Sequence, residues 1–215
     1  MNGGRQGDRM DHSRVVVIGG GAVGASCLYH LCKLGWRDAV LIEQNELTSG
    51  STWHAAGNVP TFSTSFCLLQ LQNYSAGLYR RLGEEVGYPI DYHVVGSIRL
   101  AHTAERMDEF RHVCAMARMN RMELELLGHN EILARYPFLT LDDIRGALWD
   151  PYDGDIDPAQ LTQALAKGAR DLGASIRRFE KVVGLAQLPN GRWRVTTDKG
   201  EILAETVVNA AGYRA

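Results

Sequence analysis

The chain has 215 residues, of which 45% are hydrophobic and 22% are charged, and its formal net charge is −2. These values are ordinary for a globular protein with one large domain or two small ones. They offer no basic excess for nucleic acid and no polybasic patch for a membrane surface, so we expect neither as a partner. The longest nearly apolar run, VVVIGGGAV at 15–23, is far too short to span a bilayer.

The amino-terminal residues and the cysteines both favour a cytoplasmic protein. Residues 1–13 are polar and mix acidic with basic side chains. They lack the apolar core of a secretion signal, and their acids argue against an organelle transit peptide, so we expect a short disordered leader. The cysteines form no CxxC pair and no cluster with histidine, which predicts free thiols and no metal site. They are Cys27, Cys32, Cys67 and Cys114.

A β-α-β unit is predicted at the start of the chain. Residues 14–18 are mostly β-branched and end at glycines, as in a buried parallel strand. Residues 22–34 carry small and apolar side chains at helical spacing, and Gly35 ends this helix. Residues 39–43 form the second strand. From the first strand to the second the unit takes about 30 residues, the expected length.

The remaining pattern predicts an insertion followed by a small β-meander. Between residues 66 and 150 the pattern predicts helices at 66–86, 103–119 and 129–135 and strands at 94–101 and 146–150. Asp157 and Pro158 are a natural N-cap and first position for a helix that ends at Gly173. Tight turns then separate short strands. These strands are 175–179, 181–188, 192–197 and 201–204, followed by a separate apolar strand in TVVNAAG at 206–212.

Residues 19–24, GGGAVG, fit the dinucleotide-binding pattern G-x-G-x-x-G between the first strand and its helix. Gly19 allows a tight turn, Gly21 lets backbone amides approach a pyrophosphate, and Gly24 lets the helix pack close to the strand. The pyrophosphate then lies at the positive end of the helix dipole. A glycine-rich turn without a ligand is the alternative.

Glu43 lies 19 residues after Gly24, at the end of the second strand. A carboxylate there can accept hydrogen bonds from both ribose hydroxyls of an adenosine, and it repels a 2′-phosphate. NAD and FAD share this fingerprint. The second strand leads into a loop of mostly small residues at 49–58, which we call the small-residue loop, and then into an insertion and a meander. FAD is favoured because an NAD-binding domain would continue with further strand–helix units. An NAD-dependent dehydrogenase domain is the alternative.

Several stretches resemble the amino-terminal flavin domain of the dimethylglycine and sarcosine dehydrogenases, which belong to the D-amino-acid-oxidase-like flavoproteins. They are VVVIGGGAVGASCLYHLCKLGWRDAVLIEQ, SGSTWHAAGN, VGSIRLAHTAERMDEF, DPYDGDIDPAQLTQALAKGAR and VVNAAGYRA. The resemblance covers residues 14–215. The glycine fingerprint is common to many flavoproteins, whereas STWHAAG and DGDIDP are more specific.

The resemblance and the element pattern together predict an α/β fold. A Rossmann-like FAD/NAD(P)-binding domain with a β-meander would carry an incomplete α+β substrate-domain insertion. The expected segments are 14–87 and 151–215 for the FAD-binding domain, the second of them truncated, and 88–150 for part of a substrate or cap domain.

The resemblance also implies a covalent flavin. In this family the histidine of the WHAAG motif is joined to the C8α methyl of FAD, and His54 occupies that position. A neutral imidazole nitrogen is a competent nucleophile near physiological pH. The small neighbouring residues would let the loop run along the cofactor, with Ser51 and Thr52 donating to the pyrophosphate or ribityl chain. A solvent-facing loop histidine is the alternative.

Two later segments complete the implied cofactor site. Val182 or Val183 would offer backbone groups to the adenine edge, and residues 210–212 match the family's second fingerprint, close to the pyrophosphate and ribose. A plain strand-to-helix turn is the alternative for that segment. The complete predicted cofactor-binding set is Gly19, Gly21, Ala22, Val23, Gly24, Glu43, Gln44, Ser51, Thr52, His54, Ala56, Gly57, Val182, Val183, Ala210, Ala211 and Gly212.

The family reaction oxidises the C–N bond of an N-methylated amino acid such as sarcosine or dimethylglycine. Two electrons pass to FAD, and the resulting iminium is hydrolysed to formaldehyde, or its carbon is captured by tetrahydrofolate in a separate carboxy-terminal domain. The implied partners are therefore a small amine and an electron acceptor, either oxygen or an electron-transfer flavoprotein.

The residues that bind the amine in this family lie mostly after the last residue of this chain, so no catalytic residue is assigned here. We expect the first part of a larger enzyme, with weak FAD binding and no turnover by the 215 residues alone. Regulatory subunits of a mitochondrial phosphatase share the architecture but lack the WHAAG histidine. A catalytically inactive relative of that kind is the remaining alternative.

Overall fold

The computed structural model describes residues 11–215. Positions 1–10 of the expected leader lie outside the described residues, and positions 11–13 belong to the first strand. The described helices are α1 Ala22–Lys33, α2 Phe66–Val86, α3 Ala104–Met119, α4 His129–Arg135 and α5 Pro158–Asp171. The described strands are β1 Asp11–Ile18, β2 Ala39–Glu43, β3 Asn58–Val59, β4 Tyr92–His93, β5 Ser97–Ala101, β6 Glu125–Leu127, β7 Gly146–Asp150, β8 Gly154–Ile156, β9 Ser175–Arg178, β10 Val182–Gln187, β11 Trp193–Thr197 and β12 Gly200–Asn209.

Two compact units divide the chain. The sheet unit contains residues 11–56, 82–90 and 157–215, and the inserted unit contains 57–81 and 91–156. These boundaries differ from the segments expected from sequence, which end at positions 87 and 150. The difference has a physical reason, because β8 pairs with both β3 and β4 and therefore keeps the residues on either side of it within the inserted unit.

The sheet unit is built on six strands in the order β10-β11-β12-β1-β2-β9. Strands β12, β1, β2 and β9 run parallel, whereas β10, β11 and the start of β12 form the antiparallel meander. Val15, Val16 and Val17 are completely buried, which is typical of a central strand covered on both faces. The carboxyl ends of the parallel strands meet at one edge of the sheet, and α1 begins at that edge.

Most predicted helices and strands are found within a few residues of their expected positions. One prediction is wrong: 201–204 and the strand beginning at 206 are parts of a single strand, β12. Its first half pairs with β11, and parallel pairing with β1 continues through its second half to Asn209. The strand expected from position 94 begins only at Ser97. Gly96 has φ +73°, and a Cβ there would lie 2.3 Å from the Trp149 ring.

The inserted unit contains two three-stranded sheets, β3-β8-β4 and β5-β7-β6. Thr103 is the N-cap residue of α3, and its hydroxyl accepts the N–H of Arg106 at 3.2 Å. Its buried face packs Phe110 and Ala117 against Leu148 of β7. Strand β7 therefore joins the apolar core of this unit to the polar segment that follows it.

A buried carboxyl pair lies in that polar segment of the inserted unit. Asp153 accepts hydrogen bonds from the N–H and the hydroxyl of Thr61, at 2.7 and 3.0 Å, and from the Ser97 hydroxyl at 2.6 Å. Asp150 is 1% exposed, and its Oδ2 has no hydrogen-bond partner within the described part of the chain. Burial, together with the negative charge of Asp153, raises the pKa of Asp150 to about 6, against the lowering effect of its hydrogen bond from Tyr152 N–H.

This raised pKa makes stability depend on pH. The unfolded chain releases the Asp150 proton near pH 3.9, whereas the folded chain holds it until about pH 6. The contribution of this group to stability is therefore complete below about pH 4 and is lost as the pH rises through 6. Above that pH an ionised, poorly solvated carboxylate destabilises the fold.

We predict that Asp150→Asn is more stable relative to wild type at pH 8 than at pH 5. The amide keeps the shape of the side chain and an acceptor for Tyr152 N–H but cannot ionise. Thermal melts followed by circular dichroism at the two pH values measure this, with the exposed Asp142→Asn as the control. The same stability difference at both pH values would contradict the prediction.

Candidate functional site

A cleft of about 170 Å³ lies at the carboxyl edge of the parallel strands in the sheet unit. Strands β1, β2 and β12 are neighbours in the sheet, so the residues that follow them converge there. Its lining comes from residues 19–23, 43–45, 49–52 and 210–213. The cleft thus combines the glycine fingerprint, the end of β2, the small-residue loop and the segment after β12.

Gly19 brings the turn after β1 into direct contact with the segment after β12. Its φ of +109° favours glycine, and a Cβ would lie 2.3 Å from the carbonyl oxygen of Ala210. Ala210 N–H donates to Ile18 at 2.8 Å, and Gly19 N–H donates to Ile42 at the same distance. Both neighbouring strands therefore hold the first residue of the fingerprint.

The other two fingerprint glycines are required by different contacts. A Cβ on Gly24 would lie 1.9 Å from the carbonyl oxygen of Gly19, so α1 approaches the preceding turn as closely as a backbone can. A Cβ on Gly21 would lie 2.9 Å from the hydroxyl oxygen of Thr52. The side chain of Thr52 therefore occupies the space over Gly21. Gly24 instead allows α1 to pack closely against the turn beneath the cleft.

Glu43 lies at the centre of the site. Its Oε2 accepts the N–H of Gly20 at 2.7 Å, and its Oε1 accepts the N–H of Asn45 at 2.8 Å. A carboxylate has about four acceptor positions, so two remain for a ligand. The two amides hold the carboxylate in one orientation, and its charge favours hydroxyl groups and repels phosphate at this point of the cleft.

The small-residue loop forms a short 3₁₀ turn, Ser51–His54, beside the amino terminus of α1. Thr52 Oγ1 accepts the N–H of Ala22, the first residue of α1, at 3.0 Å. Gly21, the N-cap residue, has no side chain to do this, so Thr52 caps the helix from a distance of 30 residues. The Thr52 hydroxyl keeps its own proton to donate and a second acceptor lone pair.

Thr48 joins this turn to the fingerprint and was not identified from the sequence. Its N–H donates to the carbonyl of Gly20 at 3.0 Å, and its carbonyl accepts the N–H of Trp53 at 3.0 Å. Thr48 has φ +73°, a conformation rare for a β-branched residue. The adjacent Leu47 is 2% exposed, and its methyl group fills the space beside Gly20.

A second cleft of about 260 Å³ shares residues 19, 43, 44 and 211 with the first. Lys181 and Val182 line its other side, together with Glu180, whose buried carboxylate accepts the Thr197 hydroxyl at 2.7 Å. Val183 is 60% exposed and lies outside this lining. Of the two valines named from sequence, Val182 is the one beside the cleft.

Residues 43–46, which lie between the two clefts, form hydrogen bonds with residues 178–180 at and after the end of β9. Glu180 N–H donates to the carbonyl of Glu43 at 3.0 Å, and Phe179 N–H donates to the carbonyl of Asn45 at 3.3 Å. Arg178 donates to Glu46 at 2.6 Å, and this hydrogen bond lowers the pKa of the Glu46 carboxyl. These bonds fix the position from which Glu43 faces both clefts.

The structure brings most, but not all, of the predicted cofactor set together. Residues that line a cleft are Gly19, Gly21, Ala22, Val23, Glu43, Gln44, Ser51, Thr52, Val182, Ala210, Ala211 and Gly212. His54 and Ala56 are exposed and lie outside both linings. Gly57 belongs to the inserted unit, where its φ is +83° and a Cβ would lie 2.2 Å from the carbonyl oxygen of Ile156. Close packing against β8 therefore accounts for that glycine.

Comparisons with known proteins agree on one family. The family model described as "DAO: FAD dependent oxidoreductase" matches residues 14–215. The mitochondrial dimethylglycine dehydrogenase of Rattus norvegicus is 44% identical over 203 residues, which are 94% of this chain and 24% of that protein. The mitochondrial sarcosine dehydrogenase of Homo sapiens is 35% identical over 206 residues, 93% of this chain and 22% of that protein. The chain thus spans about a quarter of the length of these relatives.

A solved structure shows the same fold. The glycine oxidase of Geobacillus kaustophilus superposes with a TM-score of 0.84 at 30% identity, covering 96% of this chain and 57% of that one. The predicted α/β FAD-binding fold is therefore confirmed, as is the resemblance on which it depends. In residues 11–215 none of the helices combines the length and apolarity needed to cross a bilayer.

We predict that Gly24→Ala destabilises the protein by about 3 kcal/mol or more, because the added methyl meets a backbone carbonyl rather than a flexible side chain. Gly77→Ala in α2 is the matched control. Its Cβ meets only the end of Arg81, at 3.8 Å, and alanine favours a helix by up to about 1 kcal/mol over glycine. Urea unfolding measures both changes, and near-equal stability of the two variants would contradict the prediction.

Proposed function

The chain belongs to the DAO family of FAD-dependent oxidoreductases, and we propose that its two clefts hold the adenosine diphosphate half of FAD. The pyrophosphate lies at the amino terminus of α1, where backbone N–H groups and the helix dipole favour an anion. The ribose lies at Glu43, and the adenine extends into the second cleft beside Val182. Residues 210–212 cover the opposite side, and their small side chains leave room for the cofactor.

The observation that carries this proposal is the held carboxylate of Glu43 at the junction of the two clefts. The N–H groups of Gly20 and Asn45 orient it and leave acceptor positions for the two ribose hydroxyls. The same charge disfavours a 2′-phosphate. The free acceptor positions of Glu43 match the two hydroxyl donors of a ribose, and this match supports the proposal in addition to the family membership.

We propose oxidation of an N-methylated amino acid such as sarcosine or dimethylglycine as the reaction of the whole enzyme. Similarity to a dimethylglycine dehydrogenase and a sarcosine dehydrogenase supports this substrate class. Bound FAD supplies the acceptor for two electrons from the amine. The described residues contribute cofactor binding and orientation, and we assign none of them a catalytic role toward the amine.

We further propose that His54 carries the flavin covalently. Its turn is attached to α1 through Thr52, which lines the pyrophosphate cleft, so a cofactor that extends from the cleft along this loop passes close to the exposed imidazole. Exposure suits the role, because an exposed imidazole is accessible to a ligand. The same feature also suits the alternative of a plain loop histidine, which makes a direct test necessary.

The test is the intact mass of denatured protein that has been produced with added FAD. We expect the wild type to gain the mass of one FAD and His54→Ala to gain none. His112→Ala is the matched control, because His112 is also an exposed histidine but lies on α3, and this variant should gain one FAD. No gain in the wild type, or a gain that persists in His54→Ala, would contradict covalent attachment at His54.

The cellular partners and compartment stay predictions. The cytoplasm is the compartment expected from the sequence, whereas the names of the two dehydrogenase relatives describe those proteins as mitochondrial. Oxygen or an electron-transfer flavoprotein is the proposed electron acceptor. Tetrahydrofolate enters the proposal only for a protein that has a further carboxy-terminal domain.

A further inference from the structure

We propose that Thr52 is a positioning residue, which holds the turn carrying His54 in register with the fingerprint and so sets the rate at which the flavin becomes attached. This inference rests on the proposed attachment at His54. The structural basis is a set of three hydrogen bonds, which we call the turn clamp. They run from Ala22 N–H to Thr52 Oγ1, from Thr48 N–H to Gly20 O, and from Trp53 N–H to Thr48 O, each 3.0 Å long.

The turn clamp joins two segments that are far apart in sequence. Residues 20–22 line the cleft proposed for the pyrophosphate, and residues 51–54 form the turn that ends with His54. Two of the three bonds are between backbone groups and survive most substitutions. The third depends on the hydroxyl of Thr52, so a substitution at this position can remove it.

The residues beside the Ala22–Thr52 hydrogen bond do not replace Thr52 in this role. Gly21 offers no side chain, and Trp53, which follows Thr52 in the turn, is 70% exposed. The space over Gly21 fits the Thr52 oxygen closely, since a Cβ there would lie only 2.9 Å away. Without the hydroxyl, Ala22 N–H loses its acceptor, and of the turn clamp only the two backbone hydrogen bonds of Thr48 remain.

Attachment is a reaction whose rate depends on such positioning. An imidazole nitrogen of His54 bonds to the 8α-methyl carbon as one methyl C–H bond and the imidazole N–H bond break. The two protons and two electrons released are taken up by dissolved oxygen as hydrogen peroxide. Displacement of a reacting group by about 1 Å can slow a reaction about 100-fold, so loosening the turn should slow attachment even when FAD is fully bound.

The experiment compares wild type with Thr52→Val and Thr52→Ser. Valine keeps the branched shape without the acceptor, and serine keeps the acceptor. Purified cofactor-free protein is mixed with saturating FAD in air, and the covalent fraction is followed by intact mass. We expect attachment to be at least about tenfold slower in Thr52→Val and close to the wild-type rate in Thr52→Ser. Equal rates in all three proteins, or a loss in Thr52→Val that disappears as FAD is raised, would overturn the inference.

A second measurement needs no cofactor and separates this inference from the proposed function. Amide hydrogen exchange on cofactor-free protein should be faster in Thr52→Val than in wild type, in peptides covering 20–26 and 48–56, and unchanged in Thr52→Ser. Unchanged exchange in Thr52→Val would overturn the turn clamp, whether or not FAD attaches. If the exchange changes as expected but wild type acquires no FAD, the clamp stands, and both the attachment at His54 and the rate role of Thr52 fail.

Discussion

The approach of α1 to the turn after β1 is the constraint on which the site depends. A Cβ on Gly24 would lie 1.9 Å from the carbonyl oxygen of Gly19, and a Cβ on Gly19 would lie 2.3 Å from the carbonyl oxygen of Ala210, so no side chain fits at either position. These contacts place the amino terminus of a helix at the carboxyl edge of the sheet, between two strands. The amino terminus of α1, the Glu43 carboxylate at the end of β2 and the segment after β12 therefore line one cleft.

The local parts of this arrangement could be predicted from the sequence. The β-α-β unit carries its signals within about 30 residues, with β-branched strands, a helix of small and apolar residues, and glycines between them. Helix α5 could also be predicted, because Asp157 is a typical N-cap residue. In the structure the Asp157 carboxylate accepts the N–H groups of Ala159 and Gln160. Glu43 was identified by its distance from the fingerprint.

The parts that depend on distant contacts could not be predicted in this way. Strand β12 was predicted as two strands, whereas its parallel pairing with β1 extends from Ile202 to Asn209. Thr48 was missed since its role depends on a positive φ and on bonds to Gly20 and Trp53. Gly57 looked like part of a cofactor loop, yet its contact is with Ile156, 99 positions later. The run of small residues after Thr48 indicates a loop, but it does not show which residues Thr48 bonds to.

The central claim is that the two clefts recognise the adenosine diphosphate half of the flavin. The most direct measurement is an equilibrium titration of flavin fluorescence with FAD and with FMN, on the same cofactor-free protein. FMN has the same ring system but lacks the adenosine monophosphate portion that Glu43 and Val182 would contact. The account predicts that FAD binds and that FMN binds at least about tenfold more weakly, a difference of about 1.4 kcal/mol. Equal affinity for the two flavins would contradict it.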